Sequence, residues 1–456
     1  MGKRIILAVL AVLISSGLSQ ATEIRDFRDI RQDHRYFTAP LDKEFREESR
    51  ELQKKADAFH DAMFFSPWQQ VKSRFSREEI KWEFDKYGQD LGYGRKGKKH
   101  SRSWMNKLTA NAQLPAYPAA GYPAITLLNT DLRVLPTREA HLSDPRNCPL
   151  PFDNMQNSAV AANTPVYVSH VTKDRSWVLV ETHYALGWVP ARHIATVDAD
   201  FTKRWESGPY ATIVKDKTPL YGKGGRLLFK ASLGAFFPKA SEDGQTIKIL
   251  VAVAGKKKAA AIREVALSRK TIAAKPLALN AANVTMVANE LMNEPYGWGG
   301  LEEKRDCSST LMDFFAPFGI WLPRNSGDQA KKAGTFIDLK GLSPEEKEKA
   351  ILKQGLPYFT LLWLKGHIML YIGSQEGRAL VFHNFWSVKT SDGRGRTGKK
   401  IIGRSAITTL NPGEELRQGK NEGNILPNIL GMTLLWPPLT EAARFPQEEP
   451  NNLILN

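Results

Sequence analysis

Cysteine is almost missing: the 456 residues contain two, Cys148 and Cys307. So small a number excludes a disulfide framework and a thiolate metal centre. The nine histidines are scattered, and no carboxylate cluster has ligand spacing, so neither a metal nor another cofactor is expected. Beyond the first residues no stretch is apolar for long enough to cross a bilayer, and no stable membrane insertion is expected. Cation-rich segments interleaved with stacking aromatics are also lacking, which argues against nucleic acid as a partner.

Positive charge, by contrast, is in surplus, with 64 Lys+Arg against 48 Asp+Glu. Lys3 and Arg4, an apolar run from Ile5 to Ile14 and the small-residue site Ser19-Gln20-Ala21 read as a secretory signal over 1–21. The competing reading is an uncleaved N-terminal anchor. Removal of the signal leaves 62 basic residues against 48 acidic, in a protein expected to be exported, periplasmic or secreted. Basic clusters at Arg95–Arg102, Lys256–Lys258 and Lys399-Lys400 read first as solvated surface, and second as docking sites for an acidic polymer. Cys148, in Pro-Arg-Asn-Cys-Pro-Leu-Pro, has no helix start behind it and reads as a loop residue.

Taken in order, 22–115 forms a helical segment. Lys43 to Met63 is dense in helix formers, and Ser76-Arg-Glu-Glu79 is a capping box ahead of Ile80, Phe84 and Tyr87. Trp68, Trp82 and Trp104 are expected to pack this segment on a neighbouring domain, since a few short helices bury too little alone. From 116 to 200 short strands with frequent turns predict a small barrel, and 205–275 a second one. Ala-Lys-Pro-Leu-Ala near 274–278 reads as a linker. A domain over 280–440 follows, then a polar tail over 441–456.

The stretch from Tyr296 to Gln329 carries the chemistry. Tyr-Gly-Trp-Gly-Gly leads to Asp306-Cys307-Ser308, after which Leu311, Phe314, Phe315 and Phe318 recur at helical spacing. A thiol at a helix N-terminus meets unpaired N–H groups and the helix dipole, which should lower its pKa. Downstream, Gly366-His367 opens an apolar strand and His383 lies on the next, joined by a turn at Gln375-Glu-Gly377. Either His383 or Asn384 faces the cysteine, since neighbours on a strand point to opposite sides.

These motifs, with Pro323-Arg324-Asn-Ser-Gly-Asp-Gln329, resemble the NlpC/P60 family of cysteine peptidases, which cut peptidoglycan stem peptides. Leu132-Arg-Val-Leu-Pro-Thr137, Pro151-Phe-Asp153, Gln156, Pro165 and Gly187-Trp188-Val189 are similar to the bacterial SH3-like domain that precedes such domains. The resemblance implies an α+β fold: a papain-like NlpC/P60 catalytic domain preceded by two small all-β SH3-like barrels and an N-terminal helical clip. It implies Cys307 as nucleophile, His367 as base and His383 as its orienting partner. The implied substrate bond joins γ-D-glutamate to a diamino acid, with a preference for stems whose L-alanine has a free amine. Tyr296, Asp306 and Ser308 would bind that amine, and Asp153 is the candidate contribution from the barrel. Asp306 reads equally as a helix cap, and Tyr296 as an oxyanion donor or a packing aromatic. The alternatives are an exported peptidoglycan-binding protein with an inactive papain-like domain, and an amidase or acyltransferase on the same fold.

Overall fold

The computed structural model describes residues 23–41, 47–144, 152–392, 394, 396–417 and 425–436. The expected signal, Cys148 and the C-terminal tail lie outside the described residues.

The N-terminal segment does not stand apart as a domain. Near its start the Asp26 carboxylate accepts from the Thr409 N–H at 2.7 Å, and Gln32 exchanges hydrogen bonds with the Ile407 backbone. His34 is fully buried, its Nδ1 2.8 Å from the Tyr358 hydroxyl and its ring edge-on to Phe382. The helix Glu47–Phe65 then crosses to the barrels, with Gln53 donating to the carbonyls of Leu277 and Phe318. Ser76 and Glu79 close the expected capping box of the helix Arg77–Gln89, a device worth about 1 kcal/mol. Of the three tryptophans, Trp68 docks as expected, buried and donating to the Ala124 carbonyl at 2.7 Å. Trp82 does not: it is 41% exposed beneath the Lys86 ammonium, because it lies on the solvent face of its helix.

The first barrel is an antiparallel seven-stranded sheet built from strands between Tyr122 and Thr196. The second pairs a five-stranded sheet with a two-stranded ribbon between Tyr210 and Ala274. Its strand Ala260–Ser268 escaped the sequence reading, since only Val265 and Leu267 are fully buried, Ala260 and Ile262 are half-buried, and the charged Arg263 and Glu264 interrupt the alternation. The stretch at 274–278, expected as a linker, is anchored to the N-terminal helix. The Lys275 side chain is fully buried, its ammonium bonded to Asp57 and Asp61 of the long helix and lying over the Phe236 ring.

The last domain packs the helices Ala281–Glu290, Cys307–Phe315 and Ser326–Lys332 on a six-stranded antiparallel sheet. At its centre the strand His367–Gln375 lies between Thr360–Leu364 and Arg378–Ser391. Leu311, Phe314, Phe315 and Phe318 fill the space between helix and sheet, each no more than 1% exposed. Burying such side chains contributes about 1.5–3 kcal/mol apiece.

Candidate active site

Cys307 is the first residue of its helix, with Asp306 as N-cap. The turn Glu376-Gly377, both residues at positive φ, pairs Gln375 with Arg378, and a bulge between Tyr371 and Gly373 then shifts the register by one residue before the histidines are reached. With Leu370 opposite Phe382, His383 falls diagonally across from His367 on the same face. Their rings meet, His367 Nε2 to His383 Nδ1 at 2.8 Å, and His383 Nε2 reaches the Thr408 hydroxyl at 3.0 Å. Asn384 points the other way, donating to the Glu294 and Arg305 carbonyls. His367 Nε2 is thereby engaged by His383. The backbone N–H groups of Ile368, the residue after His367, and of Ser308 act to favour the thiolate.

Electrostatics depart from the sequence expectation. Burial pushes the Cys307 thiol up to about 12, the Asp306 carboxylate adds to this, and the N–H groups and Arg324 only partly oppose it. Burial likewise holds the His367 imidazole down to about 4, and His383 well below its ordinary value. Both shifts favour a neutral thiol beside a neutral imidazole. The helix terminus is set to stabilise the anion as it forms, not to store it in the resting protein.

Asp306 is a brace. Its Oδ2 accepts from Arg324 Nη2 at 2.7 Å and the Gly299 N–H at 3.0 Å, and its Oδ1 accepts from the Ser309 N–H at 2.8 Å. Ser308 joins the same network, donating to Asp306 Oδ1 and accepting from Arg324 Nη1 at 2.9 Å. Arg324 Nε also donates to Ser158 of the first barrel at 2.7 Å. A buried guanidinium thus matches the Asp306 charge and ties the loop to the barrel. Arg324 stood in a quoted motif without a role, and Gln329, which donates to the Ser308 and Pro323 carbonyls, was equally visible there. Thr408 carried no sequence signal.

Tyr296 lies at the rim in a group of aromatic rings with Phe152 and Trp386. Its phenol is held far above the ordinary value by burial, and the charges of Cys307 and Asp306 act in the same direction. It therefore stays a neutral donor near the sulfur. Asp153 must be corrected: it is fully buried, with Oδ2 on Arg133 at 2.9 Å and Oδ1 accepting from the N–H groups of His141 and Met155. No face of that carboxylate is left for a substrate. Among the described residues no group of histidine, cysteine or carboxylate side chains has the arrangement to hold a metal, and no helix is long and apolar enough to cross a membrane.

A thiol at a helix start, with two linked imidazoles on an antiparallel sheet, defines a cysteine hydrolase of the papain-like class, here carrying two accessory barrels. Residues 293–395 match the NlpC/P60 family, 5–117 the NlpC/P60 stabilising N-terminal domain, 142–190 an SH3 domain of SH3b1 type and 198–243 one of SH3b2 type. The chain accordingly carries, in order, an NlpC/P60 stabilising domain, two SH3 domains and a catalytic domain of the NlpC/P60 peptidase family. It is similar to an NlpC/P60 endopeptidase from Photobacterium damselae subsp. piscicida, at 26% identity and a TM-score of 0.78, over 89% of this chain and 97% of that one. An NlpC/P60 family protein from Bacillus cereus ATCC 10987 aligns at 16% identity and a TM-score of 0.45, over 68% of this chain and 98% of that one. No curated protein matches the chain.

Proposed function

We propose that this protein hydrolyses the γ-D-glutamyl–diamino acid bond of peptidoglycan stem peptides, with Cys307 as nucleophile, His367 as base and acid, and His383 orienting His367. The observation that supports it is the chain of contacts from Thr408 through His383 to His367, on the strand whose Ile368 N–H acts to favour the Cys307 thiolate. Because thiol and imidazole are both neutral at rest, the thiol proton passes to His367 as the sulfur attacks the carbonyl. The developing oxyanion is met by the Cys307 N–H and the neutral Tyr296 hydroxyl. His367 then protonates the leaving amine as the C–N bond breaks, and it next draws a proton from the water that cleaves the thioester. Selection for a free amine on L-alanine would need an uncompensated carboxylate, and Asp306 already faces Arg324. We therefore expect acylated and free stems to be cut alike.

The test incubates the full chain and Cys307→Ala with a stem tripeptide, its N-acetylated form and sacculi, reading products by mass spectrometry. Release of the diamino acid from both tripeptides by the parent alone is expected. A preference above about tenfold for the free amine, about 1.4 kcal/mol, would restore amine recognition. Cleavage at another bond would favour the amidase or acyltransferase reading, and no cleavage the binding-protein reading.

A further inference from the structure

A groove away from the Cys307 site lies between the two barrels. The tip of the hairpin joining Thr246–Ala254 to Ala260–Ser268 rests on the last strand of the first barrel, Thr196 bridging Ala259. Between them runs a groove of about 790 Å³ whose charged lining is entirely cationic: Arg138, Arg175, Arg192 and Lys258, with Trp177 at its wall. All four are exposed, and none forms an ion pair with a described carboxylate. Of the two acidic neighbours in sequence, Glu139 does not line the groove and Asp174 accepts from the Thr172 and Ser176 hydroxyls. The buried cations of the protein are matched by carboxylates, as at Arg305, Arg324 and Lys275, whereas these four stand together in one groove without such a partner. The positive field extends to His193, held down to about 4 by burial and then by Arg192 and Arg138.

We propose that this groove is an anchoring site for uncut peptidoglycan, taking the free carboxylates of stem peptides in strands whose other stems occupy the active site. The inference rests on the peptidase reading above. A glutamate linked through its γ-carboxyl leaves its α-carboxylate free, so the uncut polymer carries a carboxylate on every stem. Guanidinium groups bind such planar anions in bidentate fashion, and repeated weak contacts along one strand add through effective concentration. A single soluble stem gains nothing from the groove, and a sacculus does.

The experiment places Arg138→Glu, Arg175→Glu and Arg192→Glu together in the full chain, with circular dichroism and Tm as checks of folding. Binding to purified sacculi is read in a Cys307→Ala background by sedimentation across a salt series, and hydrolysis is read on sacculi and on the soluble tripeptide. Expected are a loss of sacculus affinity of at least about tenfold, a shallower salt dependence, slower sacculus digestion and unchanged tripeptide turnover. The proposal is overturned if the variant binds sacculi as the parent does, or if sacculi with amidated carboxylates bind the parent equally well. It is also overturned if duplex DNA or polyphosphate competes better than soluble wall fragments. Because binding is measured without the nucleophile, a parent that binds but never cleaves would refute the peptidase reading and leave the groove standing.

Discussion

Three side chains of the candidate site illustrate how far a residue can be understood alone. Cys307, His367 and His383 each announce themselves by neighbours in sequence: the helix start, the strand start and the alternation along the strand. Their protonation states do not, because burial is a property of everything packed around them. With the thiol pushed up to about 12 and His367 held down to about 4, alkylation by iodoacetamide should be slow at neutral pH and climb through the alkaline range. A rate already at plateau near pH 7 would reveal a preformed ion pair. The same values set the sign of the acid limb of activity. In the proposed mechanism His367 takes the thiol proton only while neutral, so turnover should persist below the ordinary histidine value of about 6.5 and fail as pH approaches about 4. Replacing His383 by alanine should lower kcat on the order of 10²-fold with KM retained, since it orients the base without holding substrate. Arg324→Met would leave Asp306 buried and unmatched, at about 3–5 kcal/mol in chemical denaturation. Lysine should not rescue it, having no planar fork.

At the scale of elements, the glycine-rich loop before Cys307 explains why the barrel and the catalytic domain meet as they do. Gly299 has φ +61, and a Cβ there would stand 2.8 Å from Gln156 Cγ and 2.9 Å from its carbonyl oxygen. Its own carbonyl accepts from Gln156 Nε2 at 3.1 Å, and its N–H reaches Asp306. Gly299→Ala should therefore lift the loop from the barrel strand Gln156–Val160, destabilising by about 1–3 kcal/mol. Activity should fall in parallel, because the same loop holds the N-cap of the Cys307 helix. A variant with parental Tm and turnover would show that the contact does not govern the site. The capping boxes, the Cys307 helix and the paired central strands were legible because each depends on residues close in sequence. The exposed strand Ala260–Ser268 was not, since it lacks the regular apolar alternation of a half-buried strand.

Across the whole molecule, the N-terminal segment and the barrels are fastened to the catalytic domain by buried charge. Lys275 holds Asp57 and Asp61 of the long helix, and Arg305 gathers Asp216 of the second barrel with Glu294 and Asp313. Lys275→Met should leave two carboxylates without their cation and cost about 3–5 kcal/mol, read as a lower Tm or as a separate early transition for the N-terminal segment. An unchanged single transition would mean that the helix is held by its apolar face alone.

By itself the sequence determined the kinds of domain, the thiol at a helix start and the two strand imidazoles, because helix caps, strand alternation and turn residues act over a few positions and leave local marks. Tertiary structure alone decided that Asp306 is matched by Arg324 from 18 residues onward, that Asp153 is sealed against Arg133, and that the thiol rests protonated. It alone also set four unpaired cations around a groove between barrels. Ion pairing and desolvation depend on which distant segments come together, and no local pattern records that.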